Sequence, residues 1–273
     1  MQSFDRRKFY SFRADANALG GFLEEPFQKN VPTLAPVSLP PVGGFAMARS
    51  EAFTLDEIVS CSSAYTRVSG SEHADGSISI LVTAVVEGLN LLEVVRAKRV
   101  VAQVSISIAS GTRVPHISLT GSGFDGLEVA GSGPPELCPD LLHPKTDRGE
   151  PARALTLRQM EQVGRRQAER LIKGFEGRAD GAHEWAQKRH EWMTRDPQSG
   201  NILCTLVDGL KGADPKTSNG NVVEIPGFGR IILGELFVSP DSVQLIAIRA
   251  ELGCPVKGKI GICCVGGGGS GTE

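Results

Sequence analysis

The chain has 273 residues, 40% of them hydrophobic and 22% charged, and its 29 Lys and Arg against 31 Asp and Glu leave a net charge of −2. That composition excludes a disordered chain, and the balanced charge lacks the basic surplus that a phosphate backbone demands, so no nucleic-acid partner is expected. The 33 glycines and the 5% aromatic content favour turn-rich β structure over a helical bundle.

In chain order, Asp5-Arg6-Arg7-Lys8-Phe9 has the look of a twin-arginine export motif. An export signal also needs an apolar stretch, and Arg13, Asp15 and Asn17 interrupt it here. The absence of a signal peptide predicts a cytoplasmic protein. No apolar run approaches about 18 residues, so no membrane span is expected. Residues 1–50 contain Pro26, Pro32, Pro36, Pro40 and Pro41 and end at Gly43-Gly44. Proline at this density predicts an extended segment wrapped over the surface rather than a helix interior or a central strand.

From residue 51 the character changes. Ser77–Val82 and Val100–Ile108 carry β-branched residues with Ser-Ile alternation, the period of two that a half-buried strand requires. Gly88 and Asn90 break the stretch Val85–Lys98, which leaves room for one more short strand. His116–Thr120 and Leu127–Val129 flank a glycine-rich turn. Residues 134–200 then read as a helical insertion. Thr156 is an N-cap for a helix reaching Phe175, with Leu157, Met160, Val163, Gln167, Leu171 and Phe175 on helical spacing. Gly177 separates it from a second helix over Asp180–Met193. Strands resume at 201–207, 221–226, 230–233 and 242–251, and residues 266–273 read as a flexible Gly/Ser tail. Residues 51–133 and 201–265 therefore form one β core, an antiparallel sandwich or barrel-like core carrying two helices over about 156–193. A βαβ alternation, and with it a doubly wound parallel sheet, is absent.

The six cysteines, Cys61, Cys138, Cys204, Cys254, Cys263 and Cys264, show no C-x2-C spacing and predict reduced, partly buried thiols. Cys263 and Cys264 are strand neighbours and point to opposite faces. Gly121-x-Gly123-x-x-Gly126 matches a dinucleotide fingerprint by letters only, because Leu127-Glu128-Val129 continues as strand where a helix N-terminus is required. No cofactor and no metal are expected.

The second helix repeats a motif, His183-Glu184-Trp185 and His190-Glu191-Trp192. The seven-residue step puts both histidines on one face, roughly 10 Å apart at about 1.5 Å rise per residue. That is too far for one metal with bonds near ~2.1 Å. The stripe reads first as a packing face, with Trp185 and Trp192 against the first helix or the sheet. The sharper alternative is a protein-partner face made of Trp185, Trp192, His183 and His190. On the first helix, Glu161 to Arg165 and Glu169 to Lys173 are favourable i,i+4 pairs on a solvated face.

Gly70–Ile108, with Ala84-Val85-Val86-Glu87-Gly88-Leu89-Asn90-Leu91-Leu92 followed by Ala97-Lys98-Arg99-Val100-Val101-Ala102, resembles the core repeat of the bacterial choice-of-anchor P proteins. Gly123–Gly131, Ile225–Glu235 and Ser242–Ile248 fit the same pattern. The resemblance implies a β-rich protein of bacterial origin, exported or at the cell surface, and brings no catalytic residues. The chain departs from that pattern in lacking an export signal and a C-terminal anchor, and in its 134–200 insertion. Three functions from different classes follow as expectations. The first is a non-catalytic structural protein that self-assembles through strand edges into a homo-oligomer. The second is a binding module for an apolar small molecule, a glycan or a protein partner. The third is a hydrolase with a dispersed site around His73, His116 or His143.

Overall fold

The computed structural model describes residues 10–26, 28–112, 114–146, 148–178, 181–195, 200–253 and 255–271; for 192–195 and 271 only the backbone is described. Among the described residues, the first half of the chain forms only strands: β1 (Tyr10–Glu25), β2 (Lys29–Leu34), β3 (Val37–Ser38), β4 (Gly44–Ser50), β5 (Phe53–Leu55), β6 (Val59–Cys61), β7 (Ser63–Glu72), β8 (Ile78–Leu91) and β9 (Val95–Ile108). Short strands β10 (Pro115–Ser118), β11 (Gly123–Asp125), β12 (Glu128–Val129) and β13 (Pro135–Leu137) lead into helices α1 (Pro139–Leu142), α2 (Leu157–Gly174) and α3 (Ala182–Arg195). The chain then adds β14 (Ile202–Thr205), β15 (Val207–Leu210), β16 (Ser218–Asn219), β17 (Val222–Ile225), β18 (Gly229–Ser239), β19 (Ser242–Leu252) and β20 (Lys257–Gly271).

Two large antiparallel sheets result, and neither closes into a barrel. Sheet A runs β16-β17-β18-β19-β20-β1-β2, with β14 on β18 and β3 on β1. Sheet B has β9, β8, β7 and β4 side by side, with β10, β11 and β12 on β9 and the β5–β6 hairpin on β8. The sheets stack face to face, and their inner faces supply one apolar core of Val, Ile, Leu and Ala. In that core the Cys263 Sγ reaches the Val100 carbonyl of the opposite sheet. Fold class is thus as the sequence indicates: mainly β, antiparallel, with a helical excursion.

The helices also follow the sequence. Thr156 caps α2 through a capping box with Gln159, and Met160, Val163, Leu171 and Phe175 are buried. Gln167, on the same stripe, donates to the Thr205 carbonyl and accepts from the Thr205 amide, both at 2.9 Å, which ties α2 to the end of β14. A second apolar cluster, Leu171, Phe175, Ala182, Ala186, Val222 and Ile232, seats α2 and α3 on the outer face of sheet A.

Three sequence expectations are corrected. Tyr10–Glu25 is not a surface wrap, because β1 is a central strand of sheet A between β20 and β2. The prolines begin only at Pro26, so Tyr10–Glu25 is free to donate on both sides. Residues 266–271 are not a tail but the end of β20, paired to β1 as far as Tyr10↔Gly271. Glycine is needed there for close approach: a Cβ on Gly267 would stand 3.0 Å from Ile106 Cδ1 of sheet B. The stretch Val85–Lys98 holds no extra strand, since β8 and β9 run on through it. Gly88, at φ +61°, is accommodated opposite Lys98 where the ladder skips a pair, and Asn90 Oδ1 accepts from the Glu93 amide in the connecting turn.

One irregularity sets up the surface of sheet A. The β1–β20, β19–β20 and β18–β19 ladders each skip one opposed pair, at Ala18/Cys263, Ala247/Cys263 and Gly234/Ala247. These residues line up as a crease across four strands. On each strand two consecutive residues turn inward there, and the alternation of faces reverses. In β19, for example, Val243, Leu245 and Ala247 are buried before the crease and Ile248, Ala250 and Leu252 after it. Gly234 takes φ +64° at the crease, a backbone state that suits glycine.

Candidate functional site

The outer face of sheet A carries rows of side chains fixed by register. One row is Glu224, Arg230 and Glu251, supplied by β17, β18 and β19. Beyond Ile232 and Arg249 comes the crease, and then Glu235 beside Ile246. Phe237 beside Gln244 follows. Charged residues on an exposed sheet are ordinary, but this patch is roofed by α3, so Glu235 is buried and the other charges are half-buried.

Helix α3 turns a four-residue-spaced stripe toward the sheet: Ala182, Ala186 and His190 are all buried. Trp185 and Arg189 flank that stripe. Arg189 from the helix and Arg249 from β19 both pair with the carboxylate of Glu235, which is 5% exposed. Two guanidinium groups therefore share one carboxylate. Arg230 pairs with Glu224 at 2.5 Å and with Glu251 at 3.3 Å, and its guanidinium lies 3.8 Å from the Trp185 ring centroid. Arg189 approaches the same ring at 5.5 Å. The tryptophan is thus a platform for cations.

The electrostatics follow from burial. Desolvation, with Arg249 and Arg230 nearby, pulls the Arg189 pKa down to about 10. Burial likewise lowers Arg249. His190 falls to about 4, chiefly by desolvation and then by the Arg189 charge, so it is neutral at physiological pH. Both His190 ring nitrogens and the Arg249 Nε are buried with no hydrogen-bond partner. Orphaned buried donors of this kind are rare and costly in a structure that serves stability alone.

Next to them lies an open groove of about 240 Å³, lined by Arg189, Leu203, Glu235, Phe237, Gln244, Ile246 and Arg249. Its lining is about half polar and half apolar, with two arginines, Glu235 and Gln244 beside Leu203, Phe237 and Ile246. Such a groove can hold a small molecule by one anionic group and one apolar body. Glu235 is committed to two arginines.

The residues singled out in the sequence fall as follows. His183 is half-buried, its Nδ1 3.1 Å from the Ile172 carbonyl, so it joins α3 to α2. Trp185 and His190 pack toward sheet A. The Trp192 side chain lies outside the described residues. His73 Nε2 is 2.9 Å from Ser79 Oγ on an exposed hairpin, but Asp75 bonds Ser77 instead. His116 and His143 are exposed on β10 and after α1. Gly121–Gly126 is a turn running into β11, with no helix behind it. Cys61, Cys138, Cys204, Cys263 and Cys264 are free thiols, with Cys263 inward and Cys264 outward as expected, while Cys254 lies outside the described residues. Among the described residues no three His, Cys, Asp or Glu side chains converge as metal ligands, and no helix is long and apolar enough to cross a membrane.

Sequence reasoning missed Arg189, Arg230, Glu235 and Arg249. A signal existed: Glu235 and Arg249 are single charges inside the apolar runs Ile231–Val238 and Leu245–Ala250, where a charge must be either surface-exposed or paired. Against known proteins, no curated protein and no solved structure matches the chain. Residues 9–239 match the family described as a domain of unknown function (DUF8256), and the chain belongs to that family.

Proposed function

We propose that this family member is a non-catalytic binding protein that takes a small carboxylate with a short apolar body in the groove beside α3. The observation that carries the reading is an unpartnered donor beside the groove. Arg189 and Arg249 share one carboxylate, and Arg249 keeps a buried Nε donor without a partner. A second carboxylate would meet that donor and balance the second guanidinium in a low-dielectric setting, where charge-assisted hydrogen bonds are strongest. Leu203, Phe237 and Ile246 supply apolar contact for the remainder, and Gln244 offers an amide for orientation. A groove of about 240 Å³ lies below the usual ligand-site range and favours a compact ligand over a lipid with a long chain.

The test is calorimetric titration with phenylacetate and hexanoate, each run beside its primary amide. Binding of a carboxylate but not its amide, lost in Arg249→Met, is the expected result. Equal behaviour of acids and amides, or no binding of either, would sink the reading.

A further inference from the structure

We propose that β4 is a dimerisation edge, and that two copies of this chain join by antiparallel β4–β4 pairing about a two-fold axis through Met47. Sheet B ends at β4, which pairs with β7 on one side only. The strand offers seven residues, Gly44–Ser50, with no proline and a single charge at Arg49. Other edges are blunted: β2 carries Pro32, and β10 starts at Pro115 and is bridged through Ile117 to Leu155. An open, proline-free edge is a template for another strand.

The side chains on β4 favour a second copy as the occupant. Phe45 and Met47 point outward and are 58% and 59% exposed, although neither is a residue that a lone surface strand needs. Ala46 and Ala48 point inward and pack on the core. The two-fold axis that uses the whole strand passes through Met47 and sets Gly44 opposite Ser50, Phe45 opposite Arg49 and Ala46 opposite Ala48. The pattern Phe-Ala-Met-Ala-Arg is therefore complementary to its own reverse. Tyr65 already neighbours Arg49 across the β4–β7 ladder. In the dimer Arg49 would lie between its own Tyr65 and the second copy's Phe45, a cation between two rings. The two Met47 side chains would meet, and each Phe45 ring, which already has its own Arg67 5.8 Å from its centroid, would lie between two cations. An isologous contact of this kind closes at two copies and leaves no growing end. It lies on sheet B and does not depend on the groove of sheet A.

Register makes the proposal testable. Opposed residues in an antiparallel pair stand about 4.5–5.5 Å apart, within reach of a disulfide. Met47→Cys should therefore cross-link the dimer under mild oxidation. Phe45→Cys should not, because four residues of offset separate its copies by roughly 14 Å. Light scattering behind size exclusion should show wild type passing from monomer to dimer with concentration. Met47→Asp, which sets two carboxylates face to face, should raise the dissociation constant on the order of tenfold with the thermal midpoint of the monomer unchanged. A wild-type monomer at every concentration would overturn the proposal. So would a dimer that Met47→Asp leaves intact, or one that Phe45→Cys cross-links as well as Met47→Cys does.

Discussion

The two faces of sheet A are built on opposite rules. The inner face meets sheet B through Leu, Ile, Val and Ala, with glycine where the sheets come closest, and its stability needs nothing more than burial. The outer face is largely covered where α3 lies on it, yet it places Arg189, Arg230, Arg249, Glu224, Glu235, Glu251 and His190 in that interface. Apolar side chains of similar size would hold a helix on a sheet at less cost, because buried ion pairs seldom repay their desolvation. The difference teaches that α3 is held by a device suited to something besides holding it, and the adjoining groove is the natural reason.

The largest expected effect tests that lesson directly. Glu235→Gln leaves the Arg189 and Arg249 charges buried without compensation, and should cost about 3–5 kcal/mol in denaturant unfolding. Replacing the set together, with Glu235→Leu, Arg189→Met and Arg249→Met, should restore wild-type stability or exceed it by about 1–4 kcal/mol, while abolishing carboxylate binding. If the triple variant stays as weak as Glu235→Gln, the charged layer is structural and the contrast between the faces disappears.

How much of this was legible in the sequence depends on what kind of signal each part leaves. Period-two runs such as Ser77–Val82 and the capped, periodic helix from Thr156 depend on local chemistry, and both are where the sequence places them. The crease breaks the period: two consecutive inward residues at Ala18-Leu19 and at Ala247-Ile248 reverse the alternation within one strand, which no period-two pattern carries. The glycines of 266–271 look flexible in isolation, and only sheet-to-sheet contact at Gly267 explains them as strand. Of the site, the His and Trp of α3 were visible as a motif and read first as a packing face, which is how Trp185 and His190 lie. Arg189, Glu235 and Arg249 come from three distant segments, and their meeting is a product of register that no local pattern encodes.

A middle-sized effect concerns pH. The His190 pKa is depressed to about 4 in the folded chain, against about 6.5 when unfolded. The unfolded state therefore binds the proton more readily, and the histidine's contribution is complete above pH 6.5 and lost as pH falls toward 4. The loss should be about 3 kcal/mol from the 1.36 kcal/mol per unit relation. Unfolding measured at pH 7 and pH 4 should show a steeper acid decline for wild type than for His190→Met, by about that amount. Equal slopes would place the imidazole in contact with water and weaken the view of this interface as sealed.

The smallest effect asks whether the helical layer behaves as one unit. Thr156 accepts from the Gln159 amide at 3.3 Å, and Gln159 accepts in return from the Thr156 amide at 3.0 Å. Thr156→Ala removes the cap and should cost about 1 kcal/mol, with Thr156→Ser recovering most of it. The cap is at the far end of α2 from Phe175, whose ring lies in the apolar cluster beneath α3. If fraying stays local, carboxylate affinity in Thr156→Ala should equal wild type even as the unfolding midpoint falls. A parallel fall in affinity would mean that α2 and α3 are seated together, so that the charged face of sheet A is exposed or covered by the whole layer at once. The groove would then be tuned by any change that loosens α2, including the Gln167 clamp on β14.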